Sequence, residues 1–176
     1  MIGSPRQAAL LDRDGVLNID RGYTHRPQDL AFIPGAVDAV RRLNAAGRLV
    51  LVVTNQAGVA RGLYDEAAVE TFHEAMQASL QKDGARVDAF YYCPFHPDAA
   101  VERYRHPDHP DRKPNPGMIL KALKDHGVAP NDAFLIGDRQ SDIEAARRAQ
   151  IRGHLFSGGD LDVFVRRLLA GEAAGT

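Results

Sequence analysis

Two aspartates one residue apart, Asp12 and Asp14, followed at once by Gly15, close a short apolar run from Ala8 to Leu11. Carboxylates in that arrangement can divide a substitution at phosphorus between them. One attacks as nucleophile and the other, two residues on, moves a proton. Residues able to serve the same phosphoryl group follow in order at Thr54, Lys113 and Asp138. For a phosphate monoester, Asp12 would attack in line and form an aspartyl-phosphate. Asp14 would protonate the leaving oxygen, then deprotonate the water that clears the intermediate. The Thr54 hydroxyl would bind a transferring oxygen and Lys113 would offset the charge of the dianion. A magnesium ion supplies the remaining neutralisation, with Asp138 as a ligand beside Asp12. Each piece also has a plainer reading. Thr54-Asn55 is ordinary turn chemistry, Lys113 a solvated lysine, and Gly137-Asp138 with Asp142 a strand end running into a capped helix. Four signals in order, at four segment ends, favour the catalytic reading.

The intervening elements must bring these residues together. Ala8–Leu11, Arg48–Val53, Val87–Tyr92, Ala133–Ile136 and Ile151–Phe156 read as strands, the first ones apolar enough to be buried on both faces. Helical periodicity covers Ala36–Ala46 before Gly47, a stretch capped by Asp65 with Val69, Phe72, Met76 and Leu80 inward, and a stretch capped by Asn115 that stops at Gly127. Ser141–Ala149 and Asp160–Leu169 complete the set. Met1–Gln7 reads as a polar lead-in, Ile19–Phe32 as a loop over the first strand end, and Gly171–Thr176 as a loose tail. Alternating strand and helix predict an α/β fold: a three-layer, Rossmann-like parallel sheet with helices on both faces. Asp12, Thr54 and Asp138 then end strands on one edge of that sheet.

Length and composition bound the function. The chain has 176 residues, 44% hydrophobic and 26% charged, which predicts one domain with a real core. A net charge of −1 gives no electrostatic footprint for nucleic acid or an anionic membrane. One cysteine, no signal peptide and no long apolar run predict a cytoplasmic chain without disulfides. The expected partner is a small-molecule phosphate ester, and the expected assembly a monomer.

From Leu10 to about Phe156 the chain resembles the haloacid dehalogenase (HAD) superfamily of aspartate-nucleophile phosphatases. The first motif matches at Asp12, Asp14 and Gly15, the second at Thr54, the third at Lys113, and the fourth at Gly137, Asp138 and Asp142. The resemblance implies the roles above, with the backbone carbonyl of Asp14 completing the metal site and Asp142 supporting it. Finer stretches, Asp12–Asn18, Gly22-Tyr23, Thr54-Asn55-Gln56, Ala60-Arg61-Gly62 and Arg112–Met118, are similar to the branch that holds D-glycero-D-manno-heptose 1,7-bisphosphate 7-phosphatase and histidinol-phosphate phosphatase. That branch lacks a large cap domain. The resemblance makes residues 93–113 a substrate-shaping loop, sets Arg112 against the distal part of the substrate, and has Asn55 and Arg61 line the pocket.

One departure stands in that loop, which holds five prolines and three histidines between Cys93 and Pro114. Relatives carry Cys-x-His and then Cys-x-Cys ahead of the Arg-Lys-Pro triplet. Here Cys93 is followed by Phe95, and His109 and Asp111 stand for the second pair. No structural zinc is expected, and the alternative ligand set is Cys93, His96, His106 and His109. The substrate that the resemblance implies best is the heptose bisphosphate. The rivals are histidinol phosphate, a polynucleotide 3′-phosphate, and phosphate binding without turnover.

Overall fold

The computed structural model describes residues 6–174. The lead-in falls largely outside the described residues, as does the end of the tail. β1 (Gln7–Leu11), β2 (Arg48–Asn55), β3 (Ala89–Cys93), β4 (Ala133–Gly137) and β5 (Arg152–Leu155) form one parallel sheet in the order β3-β2-β1-β4-β5. The chain builds outward from β1 in one direction, then returns to its other side with β4. Parallel sheets bind ligands at such a reversal, beyond the carboxyl ends of the strands. Leu11 is level with Val52 on β2 and with Ile136 on β4, so Asp12 and Asp138, just past their strands, and Thr54, next to the last residue of β2, lie at one edge of the sheet.

Strand parity explains why the strands read as continuous apolar runs. Ala9, Leu11, Val50, Val52, Phe134 and Ile136 face α1 (Ala36–Ala45), α3 (Glu66–Lys82) and α6 (Leu161–Ala174). Their sequence neighbours Ala8, Leu10, Leu51, Val53, Ala133 and Leu135 face α4 (Gly117–His126) and α5 (Gln140–Arg148). Both faces are dry, which leaves no polar alternation to detect. A short α2 (Ala57–Ala60) follows β2.

Asp65 caps α3 as expected, accepting from the Ala68 N–H at 2.9 Å. Asn115 does not cap α4. Its amide instead donates to Asp108 and to the His109 carbonyl, tying the preceding loop, and the helix starts after Pro116 without a side-chain cap. The last helix runs on to Ala174, through most of the stretch expected to be loose. β3 begins two residues later than the apolar pattern indicates, because the Val87 N–H and carbonyl are both taken by the Gln77 side chain and not by a neighbouring strand.

Candidate active site

The Asp12 N–H donates to the Ile136 carbonyl at 2.9 Å, which locks the residue to β4 one step beyond its own strand. Its carboxylate meets Lys113 at 3.0 Å. The same ammonium lies 2.6 Å from Asp142 and donates to the Val53 carbonyl at 2.8 Å, so its three donors are spent on three different segments. Burial alone would pull the Lys113 ammonium down; Asp12 and Asp142 outweigh it and hold the group above its ordinary value. Asp12 shows the opposite balance. Burial, with Asp142 and Asp14 adding to it, pushes its carboxyl up to about 7 against the pull of Lys113.

Asp138 completes this corner. Among the described residues, Asp12, Asp138 and Asp142 form a group whose ligand atoms all lie within 4.8 Å of one another. Burial and the nearby Asp142 push Asp138 up as well. Its Oδ1 is buried with no hydrogen-bond partner, a costly state for a carboxylate oxygen unless a cation shares the space. Asp142 already gives one oxygen to Lys113 and the other to the Arg139 N–H at 3.0 Å. That leaves Asp12 and Asp138 as the oxygen donors for a hard divalent ion, whose charge would reverse both upward shifts. Two glycines make the corner possible. A Cβ on Gly15, whose φ is 85°, would come within 2.3 Å of Asp138, and one on Gly137 within 2.2 Å of Asp142.

Asp14 is held apart from this group. Arg13 donates to both its oxygens at 3.0 Å, Asn18 to one at 2.9 Å, and Gln56 to the other at 3.0 Å. The Gln56 amide also donates to the Thr54 hydroxyl at 2.9 Å, and its carbonyl accepts from the Tyr64 hydroxyl at 2.8 Å. Burial pushes the Tyr64 phenol up to about 12, so it stays a donor. Asn55 makes a reciprocal pair with the main chain of Lys113: its Oδ1 accepts from the Lys113 N–H and its Nδ2 donates to the Lys113 carbonyl, both at 3.0 Å.

These residues line a cavity of about 620 Å³ that also takes in Arg61, Arg112 and His96. Arg112 is half-buried and donates to the Phe95 carbonyl at 3.2 Å. Burial, together with the charge of Arg61, lowers its pKa. The Arg61 and Arg112 guanidiniums add positive charge to the cavity beyond that of the Lys113 ammonium. In the loop behind it, Phe95 stacks flat on His109 at 3.9 Å between ring centroids and meets Tyr104 edge-on at 5.8 Å. Cys93 lies 3.9 Å from His109, whose Nδ1 also accepts from the Asp111 N–H. Burial pushes the Cys93 thiol up to about 11.

Asp12, Asp14, Thr54, Asn55, Arg61, Arg112, Lys113 and Asp142 thus share one cavity, and Asp138 adjoins it through the acidic group. Gln56, Tyr64, Arg13 and Asn18 are not among the residues singled out in the sequence, although Arg13, Asn18 and Gln56 belong to the quoted motifs. Arg139 was also missed; it lines the cavity and pairs with Asp20 at 3.3 Å. An amide or guanidinium next to a candidate carboxylate is the available signal.

The HAD-hydrolase-like family profile matches residues 111–163. A D-glycero-beta-D-manno-heptose-1,7-bisphosphate 7-phosphatase of Rhodopseudomonas palustris is 46% identical over 93% of this chain and 91% of its own length. The protein of that name from Escherichia coli is 42% identical over 82% of this chain and 75% of its own. Among solved structures, a D,D-heptose 1,7-bisphosphate phosphatase of B. bronchiseptica, complexed with magnesium and phosphate, superposes with a TM-score of 0.82. It is 30% identical and is matched over 94% of this chain and 99% of that one.

Proposed function

The chain belongs to the HAD phosphatases, in the family of the D-glycero-beta-D-manno-heptose-1,7-bisphosphate 7-phosphatases, and on that premise we propose that it removes the 7-phosphate of a heptose 1,7-bisphosphate with the help of magnesium. The observation that supports this reading is one cavity lined by Lys113 beside Asp12 and also by the guanidiniums of Arg61, Arg112 and Arg139. A bisphosphate offers one anionic group to the ammonium and a second to the guanidiniums.

The steps follow from the side chains. Arg61 and Arg112 bind the distal phosphate and orient the reacting one. Asp12 attacks phosphorus, the bond from phosphorus to the sugar oxygen breaks, and Asp14 gives that oxygen its proton. Asp14 then takes a proton from water, which attacks the aspartyl-phosphate and frees Asp12 and inorganic phosphate. Thr54 donates its hydroxyl to an equatorial oxygen, and Lys113, its three N–H groups occupied, offsets the charge of the transferring group through its own. Magnesium, held by Asp12, Asp138 and the Asp14 carbonyl, would neutralise charge at the phosphoryl group and keep the Asp12 carboxylate ionised. Asp142 anchors Lys113, and Asn55 fixes the main chain from which that lysine projects. We read the chain as one domain in which residues 93–113 shape the pocket, acting in the cytoplasm as a monomer on a small ester.

The test is phosphate release from heptose 1,7-bisphosphate, histidinol phosphate and a 3′-phosphorylated oligonucleotide, with magnesium present. Phosphorus NMR of the sugar product identifies the position cleaved. Preferential loss of the 7-phosphate is expected, and preference for either other substrate would overturn the assignment.

A further inference from the structure

We propose that Arg13 and His73 form a buried pair that positions the proton-moving carboxylate of Asp14, His73 acting only through Arg13. The proposal rests on the phosphatase reading above.

Arg13 has no exposed surface. Its guanidinium donates to Asp14 through Nε and Nη2, at 3.3 and 3.0 Å, and to the Thr24 carbonyl at 2.7 Å. Its other terminal nitrogen, Nη1, faces His73 Nε2 at 3.3 Å, and the Phe72 ring covers its flat face at 4.5 Å. A guanidinium has only donors and keeps its charge, so His73 Nε2 must be the acceptor, with the ring neutral and its proton on Nδ1. The ring's surroundings agree. His73 is buried, stacks on Phe90 at 4.5 Å and meets Tyr92 edge-on at 6.0 Å. Burial, with Arg13 adding to it, lowers its pKa to about 3.

This arrangement gives His73 a definite task. It accepts the one bond that keeps Nη1 satisfied while Nη2 and Nε grip Asp14. Without the acceptor, a buried N–H is left unpaired, and the guanidinium loses the contact that fixes its plane on the side away from Asp14. The carboxylate would then lose the fork that sets its direction, leaving only the single contacts from Asn18 and Gln56. Proton delivery to the leaving oxygen depends on that direction.

Leaving-group chemistry separates this role from a structural one. A sugar alkoxide needs the proton from Asp14; 4-nitrophenolate departs without it. The value of kcat/KM covers steps up to departure of the alcohol, before water attacks. For His73→Phe, which keeps the stacked ring, kcat/KM should fall about 10–100-fold on the heptose bisphosphate and less than about threefold on 4-nitrophenyl phosphate. His73→Gln, whose Oε1 can accept in place of Nε2, should stay within about threefold of wild type on both esters. Arg13→Lys, which keeps the charge but not the fork, should repeat the His73→Phe pattern, and carries the comparison if His73→Phe does not fold. Equal losses on the two esters would overturn the proposal, as would a Gln variant no better than the Phe variant. A wild type inert towards both esters would instead remove the phosphatase reading beneath it.

Discussion

The strand ends that carry Asp12, Thr54 and Asp138 and the loop from 93 to 113 line one cavity but are held by different forces. At the strand ends the groups are buried, charged and paired atom by atom, with Lys113 spent on Asp12, Asp142 and the Val53 carbonyl. The loop is held by ring stacking and by short turns, in which His96, His106 and His109 each accept a main-chain N–H two residues on. Buried charge pairs are unforgiving, since removing one partner strands the other. Stacked rings and turns lose stability by degrees. On the proposed reading, the chemistry would sit on the part more sensitive to change, and recognition of the rest of the substrate on the part less so.

The largest test of that contrast is Asp12→Asn. Turnover should fall at least about 10³-fold because an amide does not attack phosphorus, while circular dichroism stays that of the wild type. Near wild-type turnover would abolish the distinction between the two regions. Asp138→Ala should cost about 10²-fold or more at low magnesium. Exhaustive chelation of the wild type should reproduce the loss, and full activity after chelation would remove the cation from the account.

On the recognition side, Arg112→Ala should lower kcat/KM for the bisphosphate about 10–100-fold, the worth of one or two charge-assisted hydrogen bonds. A small aryl phosphate should lose less than about threefold, because it has no distal anion. Equal losses would place Arg112 with the chemistry instead. The buried side also predicts a pH effect through His73, whose pKa is lowered by burial and by Arg13. Its folded value lies below the unfolded one, so on acidification the unfolded chain takes up a proton that the folded chain refuses. Stability should therefore fall as pH drops below about 6.5, by about 2 kcal/mol at pH 5 from this group alone. Urea unfolding at pH 7 and pH 5 should show that term in the wild type and not in His73→Gln. Parallel changes in both proteins would refute it.

The smallest effect belongs to the loop. Phe95→Ala should cost about 1–2 kcal/mol in unfolding free energy, from lost stacking on His109 and Tyr104, with aryl ester turnover changed less than about threefold. Zinc analysis of protein purified without chelators should find it well below one ion per chain. Stoichiometric zinc lost on changing Cys93 or His109 would mean that a metal, not stacking, holds the loop.

What was legible in the sequence divides along the same line. The sheet, its helices and the positions of Asp12, Thr54 and Asp138 are readable because each of these residues lies where an apolar strand segment stops, and Lys113 is readable from the Arg112-Lys113-Pro114 triplet ahead of a helix, all local signals. Gln56, Arg13 and His73 were not, since their roles depend on partners 42 to 60 residues away. Phe95 reads as a lost ligand in sequence; only the folded loop supplies the His109 and Tyr104 rings it packs between. Asn115 looked like a helix cap because asparagine before proline commonly is one, and lost that role to the loop's own unpaired groups.

The two hydrogen bonds between Asn55 and the main chain of Lys113 work as an insulator. A side chain rooted in the sheet grips the last residue of the loop, so the place of the ammonium beside Asp12 is set by β2 as well as by the loop. A foreign loop spliced in between Cys93 and Arg112 would inherit a lysine already in place. By the same token, Asn55 is where a change in the scaffold would let the loop's motions leak into the chemistry.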